Sequence, residues 1–425
     1  MNDSRMSVWI IDPREPLIFR DGKPFDPAPG VRAQSLPFPF PSTIAGGVRA
    51  LAGLDEQGRF AIPKDNLDEL KKLNIKGPIL VDLSHDGEES YRDHWLVPAP
   101  GDALVRAKEE GNFRYPIVQL VPLPSNESIK TDLDQESPLL FVGQKEYKKE
   151  KPNKKAPRYW YWHHLEKWLS HPESFADKPV NLAGLGHNGP SQQVRVHVAI
   201  DPKTRAGRDQ YLFDTVGMEF ATLVREADSS DFEEEVEPRL HLQHARRLGL
   251  AVMVENDSPY ALHEERHQRI SPLGGERRLA SWRKSQTKIP ACPDHIKETI
   301  RKQKSCRVIL LTPAFFKEGY YPTTCLESSE VPSVKVTLQA IKIDRSQVVS
   351  GFDIAASQRR KTRRLAPAGT VLFLKLEGED PDILHWIDTT WMRCLTESES
   401  EEPQELHDGF GLAVLGTWSN EYLTV

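Results

Sequence analysis

Cysteine is scarce: four in 425 residues, at positions 292, 306, 325 and 394. None forms a C-x-x-C pair, and no cysteines and histidines fall at zinc-ligand spacing, which argues against a zinc knuckle and a disulfide scaffold. The four read as reduced, mostly buried thiols. Long hydrophobic runs are missing too. The longest, from Val308 towards Phe316, is broken by Thr312 and Pro313, far short of the ~18 residues of a membrane span. Val8 to Ile11 is too short for a secretory core, and Asp12-Pro13 follows at once, so a cytoplasmic protein with no membrane partner is expected. There is no G-x-S-x-G, no H-E-x-x-H, no P-loop and no kinase motif set. The net charge of −6 argues against a basic footprint over the whole molecule, although local segregation of charge decides nucleic-acid binding more than the sum does.

What is present suggests two or three domains on length, and an acidic, turn-like stretch at 226–237 places a boundary near 240. The 33 prolines favour irregular loops and short helices. Ser7 to Ile11 reads as a first strand. Ser42 is positioned to cap a helix running to about Leu51, with Gly53 at its end. Gly46-Gly47 inside that helix costs roughly 1 kcal/mol per glycine against alanine, which implies close packing or binding there. A short helix capped by Asp65, a strand at 79–82 and an aromatic helix over 159–169 follow. Residues 126–158 are lysine-rich and read as an exposed insertion. Alternation over 194–200, a turn at 201–207 and strand character at 211–213 predict a hairpin with a long arm. Later strands are predicted at 248–255, 306–311, 334–343 and 370–376. The chain ends with a helix over 382–395, Asp408-Gly409-Phe410-Gly411 and a strand over 412–418.

Three constellations could meet phosphate. Gly409 and Gly411 let main-chain amides approach an anion without an intervening Cβ. The pair is only a partial G-x-G-x-x-G, because Val414 replaces the third glycine and a strand follows; a plain tight turn explains it as well. Gly274-Gly275-Glu276-Arg277-Arg278 combines a glycine turn with guanidinium groups, a workable clamp or an ordinary hairpin turn. Phe19-Arg20-Asp21-Gly22 offers the same two readings. Arg359, Arg360, Lys361, Arg363 and Arg364 form a basic run suited to bidentate phosphate contacts, or a solvated loop paired with acids of 397–405. The Lys145 to Lys155 run is non-specific. His163 and His164 are adjacent on a helix, where neighbours point apart, so packing explains them better than a metal does. His197 could act as a general base or be a strand-surface histidine. Asp380 and Asp382 suit a helix start.

In order along the chain stand Glu15-Pro16-Leu17-Ile18-Phe19-Arg20-Asp21-Gly22-Lys23-Pro24-Phe25, then Pro41-Ser42-Thr43-Ile44-Ala45-Gly46-Gly47-Val48-Arg49. His197-Val198-Ala199-Ile200-Asp201-Pro202-Lys203-Thr204 with Leu212-Phe213 follows. Leu273-Gly274-Gly275-Glu276-Arg277, Gly351-Phe352-Asp353, Leu365-Ala366-Pro367-Ala368-Gly369-Thr370 and Gly409-Phe410-Gly411 complete the set. In this register the sequence resembles the third subunit of the Cmr effector complex of type III-B CRISPR systems, in the Cas-five-like group of the RAMP superfamily.

The resemblance implies an α+β protein of two ferredoxin-like (RRM-type) βαββαβ domains with long insertions, residues 1–240 and 241–425. It implies a non-catalytic subunit in antiviral defence, without metal or cofactor. Such a subunit binds the repeat-derived 5′ tag of the crRNA and docks on the large polymerase-like signature subunit and the first backbone RAMP subunit; contact with target RNA stays open. The RNA-binding residues expected are Arg20, Asp21, Gly22, Ser42, Thr43, Arg49, His197, Lys203, Arg205, Gly274, Gly275, Arg277, Arg278, the basic run of 359–364, Gly409, Phe410 and Gly411. The hairpin arm, or else the 126–158 insertion, would be the thumb that kinks the RNA. Two rival readings are a metal-independent endoribonuclease processing CRISPR RNA with His197 as base, and an adaptor whose basic loops pair with protein acids.

Overall fold

The computed structural model describes residues 5–20, 35–84, 91–107, 114–124, 139–145, 151–225, 240–323, 326, 331–350, 352–353, 358–359, 361–398 and 404–419. Two compact units interleave along the chain. One comprises Met1–Tyr91, Gly189–Thr287 and Val348–Arg364; the other comprises Arg92–Asn188, Lys288–Gln347 and Leu365–Val425.

In the first unit the elements are β1 (Met6–Pro13), α1 (Pro41–Ala52), β2 (Ile75–Asp82), β3 (Ser191–Ile200), β4 (Gly207–Glu219), β5 (Leu240–Glu255), β6 (Arg269–Pro272) and β7 (Leu279–Ser285). The sheet order is β6-β7-β1-β5-β2, with every pairing antiparallel. Position 240, the expected boundary, is the first residue of β5, which pairs on both sides inside this unit. The sheet carries Trp9, Ile11, Leu250, Val252 and Trp282, all buried. Helix α1 buries Ile44, Val48 and Leu51, one apolar stripe at helical spacing. Gly47 explains its own presence: a Cβ there would lie 2.7 Å from Leu273 Cδ1 and 3.5 Å from the Trp282 ring. The expected cap is displaced. Phe40 occupies the N-cap with no side-chain hydrogen bond, Pro41 opens the helix, and Ser42 already lies within it; proline's fixed φ starts the turn without a hydroxyl cap. Asp65 likewise sits inside a 3₁₀ turn, Lys64–Asn66, ahead of helix Leu67–Lys71, and caps nothing.

The second unit has a four-stranded antiparallel sheet in the order Lys335–Lys342, Val371–Glu377, Ser305–Leu310, Ala413–Thr417. All six residues of Ser305–Leu310 are buried, as a central strand covered on both faces requires. Helix Asp380–Thr390 turns Ile383, Trp386 and Ile387 inward. It ends well short of the expected 395, and Asp380 and Asp382 lie in its first turn, where the helix dipole favours acids. The expected aromatic helix divides into a strand, Tyr159–Tyr161, and a helix, Trp162–Ser170. Trp160 and Trp168 meet edge-on at 5.7 Å, and Phe175 packs against both. Cys292 and Cys306 are buried free thiols and Cys394 is half-buried; burial pushes the Cys292 thiol up to about 12. Cys325 lies outside the described residues.

Buried in this unit is a full guanidinium site. Arg307 is wholly covered and paired with Asp102. Its Nε donates to the Thr417 carbonyl and one Nη to the Trp168 carbonyl, each at 2.8 Å. Asp102 also accepts from Trp168 Nε1 at 3.0 Å. A charge taken out of water this completely is tolerable only with its hydrogen bonds made.

Candidate nucleic-acid interface

The first unit brings three segments to one corner. Residues 14–20 carry buried Leu17, Ile18 and Phe19. Leu17 exchanges both main-chain hydrogen bonds with Met218, at 3.0 and 2.7 Å, which ties this segment to the root of the β3–β4 hairpin. Gly217 allows that approach, since a Cβ there would sit 2.8 Å from Pro16 Cβ. On the other side Arg14 N donates to Leu279 O and Gly275 N to Ile18 O, at 3.0 and 2.7 Å. The turn between β6 and β7 is thereby pressed onto the same segment. Gly274 has a φ of 77°, and a Cβ on it would meet the Ile18 carbonyl at 2.6 Å.

Beyond the glycines, Glu276 (φ 57°) and Arg277 (φ 53°) are both left-handed. Non-glycine residues held there cost roughly 1–3 kcal/mol each and collect at functional sites. The excursion sets the charged side chains. Glu276 Oε1 accepts from Arg20 Nη2 at 3.3 Å and its Oε2 from Arg278 Nη2 at 3.1 Å. Arg278 Nη1 donates to Glu15 Oε2 at 2.6 Å, while Glu15 Oε1 accepts from the Leu279 amide at 2.9 Å. The Arg278 hydrogen bond, with the Leu279 amide behind it, holds the Glu15 carboxyl below the usual carboxylate range, and Arg195 on the hairpin adds to this. The partner effect raises Arg278. Arg277 is exposed. The corner thus gathers Arg20, Gly274, Gly275, Arg277 and Arg278 of the expected site, with two carboxylates that sequence reading passed over.

The hairpin leaves this corner as a two-stranded ribbon. Val194 pairs with Val216, Val196 with Asp214 and His197 with Phe213. Asp201 builds the tip: its carboxylate accepts from Lys203 N at 2.7 Å and its main-chain carbonyl from Arg205 N at 2.8 Å, an Asx turn. Lys203 and Arg205 are exposed there. His197 is half-buried, its Nε2 2.8 Å from Thr215 Oγ1. On the opposite face Val194, Val196, Val198 and Ile200 are 52–65% exposed. An isolated hairpin that shows four β-branched side chains to water is poorly stabilised by itself.

Other expected residues are elsewhere. Arg49 is buried and donates to the Leu73 carbonyl at 3.1 Å; it ties α1 to the turn before β2 and is not on the surface, a correction to its expected RNA role. Ser42 and Thr43 are half-buried at the start of α1. Lys361 and Arg364 are exposed and Arg363 half-buried, while the Arg359 side chain, Arg360, Asp21 and Gly22 lie outside the described residues. The second unit's glycine loop is a further correction. Gly409, Phe410 and Gly411 are buried. The Gly409 carbonyl accepts from Thr312 Oγ1 at 2.7 Å, Gly411 N donates to Pro313 O at 2.8 Å, and a Cβ on Gly411 would collide with the Leu395 main chain. Its glycines serve chain packing, and the amide expected to meet phosphate is already engaged.

His163 and His164 have ring centroids 4.1 Å apart, His163 stacks on Tyr161, and His164 Nε2 lies 3.1 Å from the Gly184 carbonyl. Among the described residues no group of three or more His, Cys, Asp or Glu is placed to hold a metal. No described helix is long and apolar enough to cross a membrane.

The family described as "CRISPR-associated protein (Cas_Cmr3)" matches residues 9–418. No curated protein matches the chain. Among solved structures, the chain is similar to one in "Cryo-EM structure of the Type III-B Cmr-beta bound to cognate target RNA and AMPPnP, state 1", with 17% identity, 86% of each chain covered and a TM-score of 0.43. A chain of "Cryo-EM structure of the Type III-B Cmr-beta bound to cognate target RNA" gives 16%, 86% of each chain and 0.42. A chain of "Crystal structure of Csm3-Csm4 subcomplex in the type III-A CRISPR-Cas interference complex" gives 8%, 88% of this chain, 94% of that one and 0.32. Likenesses this distant fix no residue's role.

Proposed function

This chain belongs to the Cmr3 family of CRISPR-associated proteins, and from that premise we propose that it is a non-catalytic crRNA-binding subunit of a type III-B effector complex. It holds the repeat-derived 5′ tag and docks on the large signature subunit and the first backbone subunit. The observation that carries the reading is the corner where Arg20, Arg277 and Arg278 stand over the Gly274-Gly275 turn, at the root of the hairpin. Planar guanidinium groups suit phosphodiester oxygens, and single-stranded RNA gives up its phosphates and splayed bases to such a surface. The hairpin is the thumb in this reading. Its row Val194, Val196, Val198 and Ile200 is the face that a neighbouring subunit covers on assembly.

Two ferredoxin-like folds are part of the same reading, and the strand orders support it. Counted in sequence within each unit, the strands β7-β1-β5-β2 run 4-1-3-2. In the second sheet, strands Ser305–Leu310, Lys335–Lys342, Val371–Glu377 and Ala413–Thr417 lie in the order 2-3-1-4, which is the same 4-1-3-2 read from the opposite edge. Each departs in one crossover. The first unit has only a four-residue helix, Glu264–His267, before its last strand, and no helix is described between Ser305–Leu310 and Lys335–Lys342.

The test is a fluorescence titration with RNA that carries the 5′ tag, against the same RNA without it, using the chain alone and the reconstituted complex. Tagged RNA should bind weakly to the chain and tightly to the complex. Arg20→Ala with Arg277→Ala should lower affinity roughly 10–100-fold, at about 0.7–1.4 kcal/mol per exposed contact, and reduce the salt slope by about 1–2. Equal affinity for tagged and untagged RNA in the complex, or no loss in the double variant, would overturn the reading. Incubation with repeat RNA in the absence of metal should give no site-specific cleavage; cleavage lost on His197→Ala would replace the non-catalytic assignment by the ribonuclease one.

A further inference from the structure

We infer that Glu276 is a built-in stand-in for phosphate, occupying in the free protein the position that an RNA phosphodiester takes between Arg20 and Arg278; the inference rests on the RNA-binding reading above and adds a device that sets its selectivity. The geometry is the first ground. One carboxylate presents two oxygens, and each meets a different guanidinium: Oε1 with Arg20 Nη2 at 3.3 Å and Oε2 with Arg278 Nη2 at 3.1 Å. The two non-bridging oxygens of a phosphodiester offer the same pair of acceptors and the same negative charge.

The second ground is that Arg278 needs no further partner for its own folding role. Glu15 fixes its other Nη at 2.6 Å and is itself held by the Leu279 amide at 2.9 Å. Arg278 stays oriented when Glu276 leaves. The third is exposure. The Glu276 and Arg20 side chains are 34% and 43% exposed, against 16% for Arg278, so exchange proceeds at the surface without opening the core. The fourth is conformation. Glu276 and the next residue, Arg277, form a two-residue left-handed excursion, the type of strained backbone a ligand relieves or exploits.

The consequence is selectivity. With Glu276 in place two of the corner's cations are shielded, so a stray polyanion meets little net charge. An RNA gains the site only if its phosphate can bridge both arginines well enough to displace the carboxylate. That trades affinity for discrimination, by the logic in which an unfavourable element against wrong partners sharpens choice.

The experiment uses the full chain with Glu276→Gln, which keeps the shape and removes the charge, and Glu276→Gln with Arg20→Ala. Two probes are titrated: a short untagged single-stranded RNA of mixed sequence, and inorganic pyrophosphate followed by its shift of the melting temperature. Glu276→Gln should bind the untagged RNA about 3–10-fold more tightly at low salt, with a salt slope steeper by about 1, as expected for freeing one or two cations. The gain should vanish with Arg20→Ala. Pyrophosphate should raise the melting temperature of the Gln variant and leave the wild type nearly unmoved.

Where RNA binding is measurable, a Gln variant that binds no better overturns the inference, and so does a gain that survives Arg20→Ala, because a general change in charge would then account for it. If neither protein binds the untagged RNA, pyrophosphate alone decides this inference, while the crRNA reading stands or falls on the tagged-RNA titration of the complex. A stabilisation confined to the Gln variant upholds an anion site masked by Glu276; equal shifts, or none, dismiss it.

Discussion

Two glycine turns look alike in the sequence and end in opposite places. Gly274-Gly275 in the first unit lies at the surface with Arg20, Arg277 and Arg278 around it. Gly409 and Gly411 in the second are buried, with the Gly411 amide spent on Pro313 and the Gly409 carbonyl on Thr312. The arginines divide the same way. Arg307 is sealed inside with Asp102 and main-chain carbonyls, whereas Arg20 and Arg277 face water. A glycine reports that something comes close to the backbone. It does not report whether that thing is a ligand or the chain itself. In both turns the chain itself comes first: Gly275 N is bonded to Ile18 and Gly274 is pressed on the same carbonyl. What separates the first turn is the set of guanidinium groups beside it, and these carry the functional argument that bare amides were expected to carry.

The sharpest way to break this contrast is to add one methyl group to each turn. Gly411→Ala puts a Cβ into the Leu395 main chain at a φ of 72° and should cost about 3–5 kcal/mol in urea unfolding, the upper range for overpacking joined to backbone strain. Gly275→Ala meets only ordinary contacts near 3.4 Å from Ile18 and should cost less than about 1 kcal/mol. Equal effects would mean that Gly275 is held by the chain as tightly as Gly411, and as Gly274 beside it, whose Cβ would meet the Ile18 carbonyl at 2.6 Å. The arginine half of the contrast is tested by Asp102→Ala, which strands Arg307 and should cost about 3–5 kcal/mol. Arg20→Ala should stay within about 0.5 kcal/mol, its effect showing in RNA affinity. A large stability loss at Arg20 would make it a structural residue.

Much of the fold was open to sequence reading. Alternation over 194–200 marks the hairpin, and the glycine turn at 274–275 joins two antiparallel strands, the hairpin-turn alternative. The strands at 306–311 and 370–376 and the final strand fall within a residue or two of their observed bounds, because buried apolar runs between turn residues leave little choice. The site was less open. Arg49 sits in a block of residues that resembles a functional motif, yet a helix of one buried face turns it inward to Leu73. Glu15 and Glu276 stand in the quoted blocks but are not singled out, since an acid near an arginine is unremarkable until the two segments, more than two hundred and fifty residues apart in sequence, are folded together. The exposed row on the hairpin has a strand's period, but period two names two faces and does not say which is covered.

The last effect concerns protonation, and it separates the first unit's buried titratable ring from its surface carboxylates. His267 is nearly inaccessible, with Nδ1 accepting from His263 N at 2.8 Å and Nε2 buried without a hydrogen-bond partner among the described residues. Burial, reinforced by Arg266, pushes it from 6.5 down to about 4. The folded protein therefore keeps this ring neutral where the unfolded chain takes up a proton. Unfolding binds more protons in that interval, so stability is complete above pH 6.5 and declines as pH falls towards 4, by about 1–3 kcal/mol for a shift of this size. His164 in the second unit is also pushed down to about 4, by burial first, and adds to the same interval with the same sign. Chemical unfolding at a series of pH values should show this limb, and His267→Asn, whose side-chain oxygen can take over the bond from His263 N, should flatten it in part. The corner's carboxylates act in a lower window: Glu15, held below its ordinary 4.5 by Arg278, gives stability that is present above 4.5 and fades only below it. Loss of the pH 6.5 to 4 limb on Glu15→Gln, with His267→Asn unchanged, would move the acid sensitivity from the buried ring to the exposed clamp and overturn the distinction between them.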